Sequence, residues 1–175
     1  GHPVRGKSPI AIAMLMSGSL GSKVRIEIGR EDGSIRTVQV PRETVRTNGV
    51  ALVRDDGVDI IRVRAFEPGT APKLSYLLSN RKASGPVVVD LRGNPGGDFH
   101  AAVDAAMLFG QEGDTLAAIK ERASVRTYTN TLAADVRPQF PIILWQDEGT
   151  ASAAEVFIAA LTENARAISI GRKSF

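Results

Sequence analysis

A chain of 175 residues, 43% hydrophobic and 23% charged, can build one medium domain, or a small one beside part of another, around a real core. The absence of cysteine excludes thiol catalysis, disulfide stapling and cysteine-ligated zinc. An aromatic share of 5% argues against base stacking, and a net charge of +3 carried on dispersed arginines marks neither a nucleic-acid nor a membrane footprint. No apolar run reaches the length of a membrane span and no signal-peptide pattern opens the sequence; export still applies if the chain is a piece of a longer protein.

Taken in chain order, "SPIAIAMLMSGS" predicts a short apolar helix ended by glycine, and "KVRIEIGREDGSIRTVQV" predicts a hairpin turning at Asp32-Gly33. "GVDIIRVRAF" is a strand, and "TAPKLSYLLSNRK" carries its leucines and tyrosine at helical spacing. "PVVVDLR" is a short β-branched run ending in charge, as a buried strand does on leaving a sheet. "DFHAAVDAAMLFG" follows as a helix, "DTLAAIKER" as a strand, and "ASVRTYTNTLAADVRPQF" as a polar loop. "PIILWQDEG", "ASAAEVFIAALTENA" and "RAISIG" then read as strand, helix and strand. Strand alternating with helix beyond about residue 50 implies an α/β layered fold.

Three stretches invite a chemical reading. "GHPVRGKS", residues 1–8, fits the P-loop pattern, but no strand leads into it and Pro9 interrupts the amide run, so it is set aside as coincidence. In "VVVDLRGNPGGD", residues 87–98, a buried strand runs into Asn94-Pro95-Gly96-Gly97 and a helix starts near Asp98. Paired glycines let main-chain N–H groups approach a ligand; a tight strand-to-helix turn capped by Asp98 explains them equally well. Asp90 and Arg92 either pair with one another or face solvent.

In "QDEGTASAAE", Ser152 and Glu155 satisfy the capping-box pattern, which competes directly with a catalytic role. Capping alone does not explain Gly149, Thr150, Ala151, Ala153 and Ala154. A nucleophile does require such small neighbours, because a peptide carbonyl must reach its hydroxyl and an adjacent N–H must reach the developing oxyanion. As bases, His100 reads as a surface helix histidine, while Lys82, Lys120 and Lys173 sit among charges or in the tail. A lysine base must be neutral, and therefore buried.

"VVVDLRGNPGGDF" and "DEGTASAAEVFIAALTENARAISIGRKSF" resemble, in order, the two signatures of the carboxyl-terminal processing (tail-specific) serine proteases. "GKSPIAIAMLMSGSLGSKVRIEIGRE" is similar to the second half of the PDZ domain these enzymes carry. The resemblance implies a core related to the ClpP and crotonase folds, built of stacked strand-strand-helix units over residues 47–175. A partial PDZ-like β segment over residues 1–46 precedes it.

The same resemblance implies Ser152 as nucleophile, with an oxyanion hole from the amides of Gly97 (or Gly96) and Ala153. It implies a lysine base in a Phe-Gly-Lys-Gly continuation beyond Phe175, so that Lys173 is not that base and the chain by itself is expected to be inactive. No metal, nucleotide or other cofactor is implied. The expected partner is a polypeptide with a free C-terminal tail, with no nucleic acid; homo-oligomerisation is left open, and the expected location is extracytoplasmic, in a bacterial periplasm or envelope. The alternative is a non-catalytic binding protein on the same scaffold, as in retinoid-binding relatives, although a binder has no need of an oxyanion turn.

Overall fold

The computed structural model describes residues 2–43, 49–81, 84–133 and 138–175. Gly1 of the P-loop-like stretch, Lys82 and the expected boundary between residues 46 and 47 lie outside them. The chain divides into two compact units, Gly1–Arg46 and Thr47–Phe175.

In the first unit, α1 (Pro9–Met16) begins with proline at its start and Ser8 as N-cap, whose Oγ accepts from the Ala11 N–H at 3.2 Å. The serine of "GKS" is therefore a helix cap. β1 (Lys23–Gly29) and β2 (Ile35–Pro41) pair antiparallel around Asp32-Gly33, with Gly33 at a φ of 80°. Arg42 ties this hairpin to the helix, donating from Nε to the Met16 carbonyl (2.7 Å) and from Nη1 to Ser22 Oγ (2.9 Å). Among the described residues, every buried apolar side chain lies in the second unit.

The second unit is built on a five-stranded sheet of order β3-β4-β5-β8-β9. Its strands are β3 (Val50–Asp55), β4 (Val58–Val63), β5 (Val87–Asp90), β8 (Ile142–Gln146) and β9 (Ala167–Gly171). β4, β5, β8 and β9 run parallel, as helical crossovers require, and β3 joins β4 as an antiparallel hairpin. That hairpin was not foreseen, although "RDDGVD" contains its signal: Asp56 and Gly57 both adopt positive φ, 45° and 77°, as a two-residue turn between twisted strands demands. The helices are α2 (Thr70–Ser79), α3 (Phe99–Met107) and α4 (Ala153–Glu163). Between α3 and β8 the chain makes a second hairpin, β6 (Thr115–Lys120) with β7 (Val125–Thr129). "VRTYT" is thus a strand and not the loop its polarity suggested; pairing with β6 meets its main-chain needs while its side chains stay mostly exposed.

β5, all four residues buried, is the middle of the sheet, so both its faces are covered. The core beneath it joins Val87, Val89, Leu91 and Leu144 to the inward faces of α3 and α4. Phe157 of α4 sits among aromatic rings, with centroids 5.3 Å from Phe66 and 5.8 Å from Phe109, and all three side chains are buried. A Phe157→Ala variant is expected to lose about 3–5 kcal/mol of stability, read from its urea midpoint at unchanged m-value.

Candidate active site

The parallel strands β5 and β8 are neighbours, and both end at the same edge of the sheet. Their C-terminal extensions, residues 91–98 and 147–152, run side by side there, at the edge where open α/β sheets place their ligands. The two stretches singled out in the sequence are therefore adjacent in space.

Close approach of the two loops explains the glycines. A Cβ placed on Gly96 would lie 2.8 Å from Ser152 Cβ and 2.9 Å from the Ala153 nitrogen, and Gly96 adopts a φ of 106°. Gly97, at a φ of 125°, would put a Cβ against the Phe66 carbonyl. Here the main chain pairs as a parallel bridge: Phe66 N–H donates to the Gly96 carbonyl and Asp98 N–H to the Phe66 carbonyl, both at 2.8 Å. That pattern turns the Gly97 N–H away from Phe66. Neither the Gly97 N–H nor the Ala153 N–H donates to an acceptor among the described residues. The Gly96 N–H, in contrast, donates to Asn94 Oδ1 at 2.8 Å, and Gly96 is buried where Gly97 is exposed.

Ser152 is exposed at the head of α4 with φ 56° and ψ −122°, a conformation L-residues rarely adopt. A serine on a sharp strand-to-helix turn of this kind presents its hydroxyl outward while the first helical amide stays beside it. The capping-box arrangement with Glu155 is present from both sides, the Ser152 side chain facing the Glu155 N–H and the Glu155 side chain the Ser152 N–H, but its two halves differ in strength. Glu155 Oε2 accepts from the Ser152 N–H at 2.9 Å, whereas the Glu155 N–H donates to the Ser152 main-chain carbonyl, also at 2.9 Å. No helix amide makes a normal-length hydrogen bond to the serine side chain. The other Glu155 oxygen accepts from Ser174 Oγ at 2.8 Å, and the Phe175 N–H donates to the Thr150 carbonyl at 2.9 Å. The tail after β9 therefore lies against the serine loop.

The lack of bulk around Ser152 has a packing cause that the sequence did not reveal. A Cβ on Gly149 would stand 3.0 Å from Gly93 Cα, so the loops leave no room for side chains between them. Thr150 is not spare space: it is fully buried, and its hydroxyl donates to the Leu91 carbonyl at 2.9 Å and accepts from the Asp147 N–H at 3.0 Å. Asp147 Oδ1 in turn accepts from the N–H groups of Gly93 (2.8 Å) and Gly149 (3.0 Å), and the Gly93 amide leads the causes that lower its carboxyl pKa. Asp147 and Thr150 are linking residues that composition alone concealed.

Asp98 caps α3, its Oδ1 accepting from the Ala101 N–H at 2.7 Å. His100 is exposed, with its ring 5.4 Å from Phe99 and 5.7 Å from Tyr128, as a surface histidine on a helix. Lys120 and Lys173 are exposed. Among the described residues no cluster of histidine and carboxylate side chains could hold a metal ion.

Just below the glycine bend, Asp90 is 1% exposed and takes Arg62 (2.8 Å) and Arg92 (2.8 Å) as ion-pair partners. Arg92 also covers the Trp145 ring, 4.6 Å from its centroid. Burial pushes the Asp90 carboxyl upward, but hydrogen bonds from Arg92 and Arg62 outweigh it and hold the pKa down to about 2.

The sequence model of peptidase family S41 matches residues 57–175. The carboxy-terminal processing protease CtpA of Bacillus subtilis is 28% identical, an alignment covering 100% of this chain and 38% of that protein. The chloroplastic carboxyl-terminal-processing peptidase 3 of Arabidopsis thaliana is 28% identical over 94% of this chain and 35% of its own. Among solved structures, a photosystem II D1 C-terminal processing protease superposes with a TM-score of 0.70 at 25% identity, over 100% of this chain and 50% of that one. The chain thus spans half or less of the length of these relatives, and it shares their α/β core.

Because the Asp90 pKa in the fold lies below the ordinary aspartate value of 3.8, its contribution is complete above about pH 4 and is lost as pH falls through 2. Nearly two pKa units correspond to about 2 kcal/mol. Stability measured by denaturant from pH 5 to pH 2 is expected to fall by at least that amount, since Asp59 and Asp147 are depressed as well, and Asp90→Asn, destabilised throughout, is expected to show a flatter slope in the same window.

Proposed function

The chain belongs to peptidase family S41, and from that membership we propose that it carries the nucleophile and oxyanion site of a serine endopeptidase that cleaves polypeptides near their C-terminal tails. The observation that carries this reading is the Ser152 turn set against the diglycine bend, with two unengaged amides, Gly97 N–H and Ala153 N–H, one from each loop.

In the proposed mechanism a neutral lysine takes the Ser152 proton and Ser152 Oγ attacks the scissile carbonyl. The Gly97 and Ala153 amides receive the oxyanion of the tetrahedral adduct, the amine leaves with the proton, and water releases the acyl group from Ser152. Of the two glycines, Gly97 is assigned the oxyanion, since the Gly96 amide is already bonded. The base is assigned to a lysine downstream of Phe175 in the whole protein. The contact of Phe175 with Thr150 supports this, because it brings the chain to within two residues of Ser152.

Residues 1–46 are assigned to the second half of a PDZ-like domain, on the helix-then-hairpin order of the first unit. A substrate tail docking there would add a strand to it. An extracytoplasmic setting is proposed from the relatives, one of them chloroplastic by name. Among the described residues no helix is long and apolar enough to cross a membrane.

In the full-length protein, Ser152→Ala is expected to lower turnover of a peptide with an apolar C-terminus by more than about 1,000-fold. Lys173→Ala is expected to retain activity. Equal turnover by wild type and Ser152→Ala would remove the nucleophile assignment. Gly96→Ala, which drives a methyl group toward Ser152 Cβ and the Ala153 amide, is expected to cut kcat by at least about 100-fold, the scale of losing one oxyanion donor.

A further inference from the structure

Asn94 has no place in the chemistry above, yet it is fully buried and every one of its polar groups is engaged. Its Nδ2 donates to the Val63 carbonyl at the end of β4 (2.9 Å), and its Oδ1 accepts the Gly96 N–H (2.8 Å). Its own N–H donates to the Leu91 carbonyl (3.1 Å), and its carbonyl accepts the Ala151 N–H (3.0 Å), one residue before Ser152. One side chain and its peptide groups thus touch the sheet, the glycine bend and the serine loop.

We propose that Asn94 is the positioning residue of the oxyanion site, holding the Gly97 and Ala153 amides in register. The inference rests on the reading of Ser152 as nucleophile. Its physical basis is directional. The Asn94 Oδ1 bond to the N–H two residues on closes an Asx turn, which fixes the plane of the 95–96 peptide. With the Gly96 N–H turned inward to Asn94 and the Gly96 carbonyl bonded to Phe66 N–H, the Gly97 N–H has only the outward direction left.

Two consecutive glycines at positive φ have many alternative conformations, so without that clip the bend can flip its peptide planes. The Asn94 carbonyl bond to Ala151 sets the height of the partner loop, and with it the Ala153 amide. Donors placed in advance stabilise an oxyanion only while they stay within a fraction of an ångström of its position. Asn94 supplies that tolerance from a buried site that a substrate does not touch.

The test uses full-length protein labelled with 15N-glycine and 15N-alanine, and a peptidyl boronic acid as the probe of the tetrahedral adduct. In wild type, the Gly96 amide is expected to exchange slowly and to keep its shift when the boronate binds. The Gly97 and Ala153 amides are expected to exchange fast and to move on binding. Asn94→Ala is expected to lower kcat about 10- to 100-fold with KM within about threefold, to weaken the boronate by a similar factor, and to speed Gly96 exchange.

Asn94→Asp retains the acceptor and, when its buried carboxyl is protonated, the donor as well. Its kcat relative to wild type is therefore expected to recover as pH falls. Wild-type kcat in folded Asn94→Ala, a change confined to KM, or a boronate-induced shift at Gly96 with none at Gly97 would each overturn the role of Asn94 while leaving the nucleophile in place. Should Asn94→Ala fail to fold, the wild-type amide shifts and the Asn94→Asp pH profile decide. If wild type forms no adduct, or Ser152→Ala still turns over substrate, the nucleophile reading falls and this inference with it.

Discussion

The second unit is organised at one point by main chain lying directly against main chain. Gly96 packs on Ser152 and Ala153, Gly97 on Phe66, and Gly149 on Gly93, each at a separation that leaves no room for a methyl group. No side chain can substitute for that contact, since the atoms that must meet are amides. The sheet makes it available: β5 and β8 are adjacent and parallel, so the segments leaving them emerge together and have no choice but to pack. Polar groups then lock the two segments, with buried Thr150 reaching Leu91, half-buried Asp147 reaching Gly93, and buried Asn94 reaching Ala151. The Thr150 and Asn94 bonds each satisfy a main-chain group that would otherwise be stranded away from water.

Much of this architecture was legible in the sequence because it is written in period and punctuation. The run Val87–Asp90, the hairpin at Asp32-Gly33 and the apolar spacing of α3 and α4 each follow from local rules that the tertiary structure does not overrule. What stayed hidden depended on partners. "VRTYT" looks polar because its ladder with β6, and not burial, makes it a strand. "VALVRD" is hidden by its position: it is an edge strand with mostly exposed side chains, and Asp56-Gly57 is its one local signal. At the site, the diglycine and the small-residue run could be seen, but not which glycine amide is engaged. That depends on Asn94 choosing one acceptor geometry, a fact about angles that residue identity does not encode.

Charge is arranged to the same end. One buried carboxylate, Asp90, serves two arginines, Arg62 of β4 and Arg92 just past β5, with Trp145 of β8 beneath Arg92. A second, Asp59, does likewise with Arg54 and Arg81, and the Arg81 bond leads the causes that depress its pKa. Such clusters contribute little net stability compared with apolar packing, but breaking one leaves guanidinium groups without their counter-charge. The Asp90 cluster marks the C-terminal ends of the strands, where the two loops begin, and the Asp59 cluster marks the opposite ends.

The backbone angles at Ser152 carry a last consequence. Holding any L-residue at φ 56°, ψ −122° costs on the order of 1–3 kcal/mol, whereas glycine would sit there almost unstrained. A glycine at this position should therefore give a more robust fold than the serine does. At this residue, thermal hardiness and retention of the hydroxyl therefore pull in opposite directions.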